Sequence, residues 1–279
     1  MRGAEPLLTP MLIIVCVVMA VAAAAVNRLA LNGSVWEAPS AAARAAFQLA
    51  AVSTVLAVAL QRMWSSLVVL LLMFIVASIT AARRSQAQRG AWWLTVALAA
   101  GMVMVIPLLT LSGVVPFNGV AVVPVFGIVL GGTMTASAVA ARRALDALTQ
   151  RAGEVEAALG LGLSERFSRM LVIERPLSDA LLPNLDQTRT AGLVTLPGAF
   201  VGVLLATGSA AQAAAVQVLV LVSLLLAQVC GVAVVGELVV RGKIARSNDA
   251  IAPPRGPGPV VALARRLGAV RPGPSTTGP

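Results

Sequence analysis

The stretch that decides the fold runs from residue 210 to residue 240 and reads AAQAAAVQVLVLVSLLLAQVCGVAVVGELVV. Its one charged side chain is Glu237, close to the end of the stretch. The hydrocarbon core of a bilayer is roughly 30 Å thick, and a helix needs about 20 apolar residues to cross it. This stretch is long enough to do so, and it therefore predicts a transmembrane helix.

Six further stretches of the chain are similarly apolar, so the sequence predicts an all-α, polytopic membrane protein with about seven transmembrane helices. The overall composition agrees, because 58% of the 279 residues are hydrophobic and 11% are charged. About a quarter of a typical soluble domain is charged. The predicted spans are 7–26, 41–60, 64–82, 91–112, 115–141, 191–208 and 210–240.

The basic residues predict the orientation of these spans. Loops on the cytoplasmic side of a membrane collect Arg and Lys. With the N-terminus outside and the C-terminus in the cytoplasm, Arg2 and Arg62 are the only outside positions among the 21 basic residues. This distribution also accounts for the net charge of +10. The predicted partner of that charge is the lipid bilayer, and no nucleic-acid partner is predicted.

The chain is predicted to divide into a transmembrane permease domain, 1–243, and a C-terminal tail, 244–279. The longest connection within the first domain is 142–190, which the orientation assigns to the cytoplasm. The tail is basic and rich in proline and glycine, and this composition predicts disorder.

Few residues in this sequence could support catalysis. Histidine and tyrosine are absent, which excludes a histidine-based zinc site or catalytic triad. The phosphate-binding pattern G-x-x-x-x-G-K-[S/T] is also absent, so the chain is predicted to bind no ATP itself. We therefore predict a transport protein, not an enzyme, with no cofactor in this chain. A stand-alone secondary transporter or channel is the alternative, although mid-span carboxylates for ion coupling are absent.

The 142–190 connection carries the clearest functional pattern. Residues 154–159 are strong helix formers, Gly160 and Gly162 interrupt them, and Ser164 is suited to cap a second helix. Helical spacing assigns four apolar residues to one face of this second helix. Such a face suits docking to a cytoplasmic partner, and it equally suits the membrane surface or the chain's own helices. The four residues are Phe167, Met170, Leu171 and Leu177.

Two motifs in this region resemble known transporter sequences. Glu156-Ala157-Ala158, followed by Gly162, resembles the start of the EAA loop of bacterial ABC-transporter permeases. Residues 190–198, TAGLVTLPG, resemble the GLVSLPG signature of the FetB-type permeases. That family includes bacterial iron-export permeases and plant aluminium-tolerance proteins.

The resemblance to the FetB-type family extends over most of the chain, from about residue 41 to residue 243. Residues 44–49 (RAAFQL) and 123–127 (VPVFG) resemble the family's second and fifth spans. The fifth span departs from the family at Ile128 and Gly132, where a methionine and an asparagine are typical. These departures weaken the transfer of iron as the substrate, because sulfur and amide oxygen are suitable metal ligands.

The resemblance implies the permease subunit of an ABC transporter in the bacterial cell (inner) membrane. Such a subunit would export a small solute such as a metal ion, with iron as the family's example. A separate ABC ATPase subunit would bind ATP, and two copies of this chain would form a homodimer. The predicted ATPase-coupling residues are Glu156, Ala157, Ala158, Gly162, Phe167 and Arg169.

Polar groups and helix breaks within the spans predict a translocation pathway, because polar groups in lipid are costly and tend to be functional. Pro197 is expected to kink the sixth span and free the carbonyl of Leu193, which a substrate or a neighbouring helix could then satisfy. Glu237 is expected to pair with Arg241, four residues on. The candidate pathway residues are Arg44, which could instead be an interfacial anchor, Gln48, Thr133, Thr195, Pro197 and Gly198. No metal ligand is assigned.

Overall fold

The computed structural model describes residues 10–59, 63–112 and 119–246 of the chain. The predictions for residues outside these ranges, including Arg2, Arg62 and most of the C-terminal tail, lie outside the described residues. Within the described ranges the regular structure is helical, and the β-structure is limited to isolated bridges. The helices are α1 (Pro10–Leu31), α2 (Glu37–Ala59), α3 (Met63–Arg84), α4 (Leu94–Leu111), α5 (Gly119–Gln150), α6 (Ala152–Gly160), α7 (Glu165–Asp179), α8 (Leu182–Thr190), α9 (Gly198–Thr207) and α10 (Ala210–Val240).

Five stretches among the described residues are helical, long and apolar enough to cross a membrane. They confirm the multi-pass helical class that the sequence predicts. The predicted second span lies on α2, a helix of 23 residues that is not among these five. The five stretches are Pro10–Ala30, Trp64–Arg84, Ala91–Leu111, Val122–Gln150 and Ala210–Val240.

The chain forms two compact units, and the first consists of Met1–Val69 with Asn118–Val120. Within this unit, α1 and α2 form a helical hairpin. The side chain of Asn27 closes this hairpin, because its Nδ2 donates to the carbonyl of Ser34 at 3.1 Å and to Glu37 Oε2 at 3.3 Å. One amide thus ties the end of α1 to the start of α2.

The second unit, Leu70–Phe117 with Ala121–Pro279, contains the main apolar core. Its helices α4, α5 and α10 approach closely through glycines. A β-carbon added at Gly101 would lie 2.6 Å from the carbonyl oxygen of Ala227, and one at Gly132 would lie 2.3 Å from Leu224 Cδ1. Small residues allow this backbone approach in membrane helices, so these glycines fix the spacing of the three helices.

Helix α5 is longer than the sequence predicts. The fifth span was expected to end at residue 141 and to give way to the cytoplasmic loop, but α5 continues to Gln150. Its 32 residues span about 48 Å. The extra turns persist because Ala144 and Leu145 are fully buried against the rest of the unit, and tertiary packing of this kind stabilises a helix.

The predicted sixth span is not a continuous helix, and this prediction was wrong. Helix α8 ends at Thr190, residues 191–197 form a turn, and α9 covers only ten residues. Gly192 adopts a φ of 83° and Pro197 is extended with a ψ of 151°. Proline disfavours helical backbone at the residue before it, so Pro197 precedes the first residue of α9 and does not kink a longer helix.

The chain after α3, the chain after α10 and the C-terminal part of α5 meet at one end of the second unit. Arg89 and Ala245 exchange two backbone hydrogen bonds of 2.9 and 3.1 Å. Beyond them, Arg246 Nη1 lies 2.7 Å from Asp146 Oδ1 on α5. Residues 244–246, the first of the predicted tail, are thus part of the packed structure. This end is the one that the arginine distribution predicts to be cytoplasmic.

Candidate functional site

The segment that follows α5 folds as a short helix, a glycine turn and a second helix, as the sequence predicts. Gly162 adopts a φ of 86°, a left-handed conformation that glycine accepts without strain. Ser164 then caps α7, because its Oγ accepts a hydrogen bond from the backbone N–H of Phe167 at 3.3 Å. The turn and the cap fix the angle between α6 and α7.

An apolar surface lies on this segment, and we call it the coupling patch. Leu161 exposes 83% of its surface and Phe167 exposes 53%. The sequence groups Phe167 and Leu171 with Leu177 on one face, and this detail was wrong, because Leu177 is buried while the other two are exposed. The coupling patch consists of Leu159, Leu161, Leu163, Phe167 and Leu171.

The opposite face of α7 packs against the rest of the second unit. Val172 and Ile173 are fully buried, and a β-carbon added at Gly236 would lie 2.7 Å from Leu177 Cδ1. Gly236 therefore provides the space on α10 that Leu177 fills. This contact joins α7, which carries part of the coupling patch, to α10.

Charged side chains reinforce the contact between α7 and α10. Arg166 donates to both carboxylate oxygens of Glu237, at 3.1 and 2.7 Å, in the bidentate geometry typical of strong pairs. Arg241 also donates to Glu237, at 2.6 Å, which confirms the predicted pair. The hydrogen bond to Glu237 raises the pKa of the Arg166 guanidinium, so this link keeps its charge at neutral pH.

Arg151, the residue before α6, links α6 to α7. Arg151 is bonded to Glu154 in the first turn of α6, and its Nη1 donates to the carbonyl of Val172 at 3.2 Å. The hydrogen bond from Arg151 lowers the pKa of the Glu154 carboxyl. Because the pKa of Glu154 is depressed, its carboxylate is ionised and paired at any pH above the ordinary pKa range of a carboxyl group. The pair is lost only as the pH falls well below that range.

The predicted coupling residues occupy different environments. Glu156 and Ala157 are exposed on α6, whereas Ala158 is buried against the segment. The side chain of Arg169 exposes only 11% and pairs with Glu165 at 2.7 Å. Within the segment, the accessible candidates are therefore Glu156, Ala157, Gly162 and Phe167, while Ala158 and Arg169 support the fold around them.

Polar side chains are buried between α4, α5 and α10, and sequence reasoning missed most of them. Both amide atoms of Gln228, together with Ser137 Oγ, are buried without a hydrogen-bond partner among the described residues. Thr133, a predicted pathway residue, is fully buried beside them and donates its hydroxyl to the carbonyl of Val129 at 2.7 Å. The sequence does contain a signal for a buried polar site here, because Gln228 places an amide within an apolar span, eleven residues after Gln217.

The turn before α9 brings three further candidates together: Thr195, Pro197 and Gly198. The carbonyl of Thr195 accepts from the backbone N–H of Gly192 at 2.8 Å. Pro197 precedes α9 and has no side chain that could accept a hydrogen bond from the first turn of the helix. Gln217 on α10 provides the acceptor instead, since its Oε1 accepts from the N–H of Phe200 at 3.1 Å. A buried amide on α10 therefore caps the start of α9.

The remaining candidates, Arg44 and Gln48, lie on α2 in the first unit, where both are exposed. They share one face of the helix, being four residues apart. The described residues contain no group of three or more His, Cys, Asp or Glu side chains that could hold a metal ion.

Long apolar helices, a broken sixth apolar segment and an amphipathic helical segment after α5 define a multi-pass α-helical membrane protein. Within that class the chain belongs to the family described as "Uncharacterised protein family (UPF0014)", whose model matches residues 8–243. This match confirms the resemblance drawn from the sequence motifs.

Several relatives extend the match to named proteins. The chain is 32% identical to the UPF0014 membrane protein STAR2 of Oryza sativa subsp. japonica, over 77% of this chain and 75% of the relative. It is 30% identical to Protein ALUMINUM SENSITIVE 3 of Arabidopsis thaliana, over 76% of this chain and 78% of the relative. It is 28% identical to the probable iron export permease protein FetB of Escherichia coli (strain K12), over 47% of this chain and 50% of the relative. No solved structure gives a significant match.

Proposed function

We propose that this chain is the membrane-spanning permease subunit of an ABC transporter, energised by a separate ATPase subunit. Its cargo would be a small exported solute, and iron is the first candidate because the relative from E. coli is named as a probable iron export permease. The sequence has no phosphate-binding loop, so the partner would bind the ATP. The proposed assembly is a homodimer in the bacterial cell (inner) membrane, in which each chain supplies half of the membrane region.

The observation that carries this proposal is the coupling patch. Its residues lie on α6, on α7 and in the turn between them, and neither helix is among the apolar helices that could span a membrane. Apolar side chains on a rigid, capped helix are suited to fill a groove on a partner protein. Exposed Glu156 lies on the same segment and adds a charge that a basic groove would recognise.

The contacts of α7 support a mechanical role for this patch. A partner that moved α7 would act on α10 through Leu177, seated at Gly236, and through the bidentate Arg166–Glu237 pair. Helix α10 in turn caps α9 through Gln217. Movement of α7 would therefore change the packing of the broken sixth segment.

Gln228 marks the proposed route of the solute along α10. Burying an amide without a hydrogen-bond partner costs about 1–3 kcal/mol in proteins. That cost is removed if water or a solute contacts the amide in a second arrangement of α4, α5 and α10. We therefore propose that these helices separate during transport and that Gln228, Ser137 and Thr133 then line the pathway.

The test is to search the neighbouring genes for an ABC ATPase, to co-express it with the tagged chain, and to measure complex formation and ATP hydrolysis. We expect a stoichiometric complex whose hydrolysis depends on this chain. Phe167→Asp and Glu156→Lys should each reduce complex formation at least tenfold, because both positions are exposed on the coupling segment.

Matched controls separate a lost contact from a damaged fold. Leu182→Asp and Asp186→Lys make the same changes at exposed positions of α8, outside the coupling patch, and they should leave the complex intact. The coupling assignment would be refuted if the α8 variants lost as much complex formation as the patch variants, or if both patch variants formed normal complexes. Solute transport by the chain alone in proteoliposomes would favour the secondary transporter or channel.

A further inference from the structure

A basic cavity lies between the end of α3 and residues 135–142 in the interior of α5, and it shares no residue with the coupling patch. Its volume is about 340 Å³, at the lower end of the range of roughly 300–1,000 Å³ that ligand pockets occupy. Arg83 and Arg84 border it from the last turn of α3, Arg142 borders it from α5, and Gln86 and Thr135 add polar groups. Ala138 and Val139 form the apolar part of the wall.

Among the described residues, two of the three arginines at this cavity have no carboxylate partner, and the third has only a long ion pair. Within the described residues, neither Arg83 nor Arg84 pairs with a carboxylate, and both are exposed. Arg142 approaches Asp146 only at 4.0 Å, and that carboxylate is already engaged by Arg246 at 2.7 Å. Like charges that converge on one cavity repel each other, so a bound anion would relieve this repulsion.

The turn that follows α3 holds the cavity in shape. Ser85 is fully buried and its Oγ donates to the carbonyl of Ala82 at 2.8 Å. Gln86 has a φ of 55°, a left-handed conformation that is uncommon outside glycine and is maintained only where the surroundings enforce it. The N–H groups of Gln88 and Arg89 are fixed by the carbonyl of Ala245. The arginines of α3 thus precede an ordered turn.

We propose that this cavity binds a phosphate group. Guanidinium groups match phosphate oxygens in a planar, bidentate geometry, and the side-chain amide of Gln86 supplies a further donor. The hydroxyl of Thr135 already donates to the carbonyl of Gly131 at 3.0 Å, so it adds only an acceptor. Thr135 is exposed and lies within an apolar stretch that could span a membrane. The arginines lie at the end that is predicted to face the cytoplasmic leaflet, where anionic phospholipids concentrate. The phosphate can come from such a lipid headgroup or from a soluble phosphate anion.

The experiment uses the purified full-length chain in detergent, without any ATPase or transport assay. One arm titrates dioctanoyl phosphatidylglycerol, with dioctanoyl phosphatidylcholine as the neutral comparison, and follows binding by native mass spectrometry. The other arm titrates inorganic phosphate against potassium chloride of equal ionic strength and follows the thermal unfolding midpoint, which rises when a ligand binds the folded state. Saturable binding of the anionic lipid alone assigns a lipid headgroup, and binding of phosphate alone assigns a soluble anion.

Two arginine pairs test whether the cavity is the site. The double variant R83Q/R84Q should weaken binding by about tenfold or more, as expected for hydrogen bonds to a charged group, while R28Q/R175Q loses the same charge elsewhere and should bind normally. Arg142→Gln, on the other helix, should weaken binding as well. The proposal is overturned if neither anion binds or if the two double variants lose equal affinity.

Discussion

At the scale of single residues, Gly90 has the most restrictive surroundings of the described glycines outside the helices. Its φ is 68°, and a β-carbon there would lie 1.8 Å from the carbonyl oxygen of Lys243. Both the backbone conformation and the space therefore require glycine. The contact lies where the chain after α10 meets the turn after α3, so a disturbance at Gly90 affects both.

We expect Gly90→Ala to destabilise the fold by about 1–3 kcal/mol, because alanine is strained in the left-handed region and would displace Lys243. The thermal unfolding midpoint in detergent measures the effect. Gly153→Ala is the control, since Gly153 lies in α6 with open space around it, and it should be neutral or slightly stabilising. An unchanged midpoint for Gly90→Ala would show that the described contact is wrong.

Two buried glutamines on α10 should respond in opposite ways to the same substitution. Gln228→Met removes an amide without a partner, so we expect the unfolding midpoint to stay equal or rise, while solute transport falls. Gln217→Met removes the acceptor for the N–H of Phe200, so the midpoint should fall by the equivalent of about 1 kcal/mol. Melting curves compare the two variants. Similar losses of stability in both would refute the proposed role of Gln228.

At the scale of helices, the pairing of α7 with α10 should matter for coupling and little for folding. Exposed ion pairs contribute little to stability, so Glu237→Gln should fold and still bind the ATPase. Hydrolysis stimulated by the solute should nevertheless fall severalfold, because Arg166 and Arg241 lose their shared partner. Glu165→Gln, which removes an ion pair within α7, is the comparison. Equal hydrolysis in both variants would remove α10 from the coupling route.

The helices that the sequence predicted well are those determined by local signals. Ser164 was identifiable as a cap because its contact with Phe167 spans three residues, and the Glu237–Arg241 pair follows from helical spacing. Arg166 was not assigned to Glu237, because 71 residues separate them. Pro197 was misinterpreted, since proline is compatible with both a kink and a helix start, and only packing against α10 decides between them.

At the scale of the whole chain, the orientation in the membrane remains a prediction from arginine counts. Cysteines introduced into a background with Cys16→Ala and Cys230→Ala can test it. Ala210→Cys should react with a membrane-impermeant maleimide in intact cells, whereas Leu161→Cys should react only after permeabilisation, because the basic ends are expected inside. The reverse pattern would invert the topology and place the coupling patch on the outer surface.

The shortness of α9 has a consequence for how the protein reaches its membrane. Ten helical residues cover about 15 Å, roughly half of the hydrocarbon thickness. The insertion machinery recognises segments of about twice that length. Only Gly208 and Ser209 separate α9 from α10, and Gln217 of α10 caps it. We therefore expect α9 to enter the bilayer together with α10, as one helical hairpin, and we expect truncation within α10 to prevent the insertion of α9.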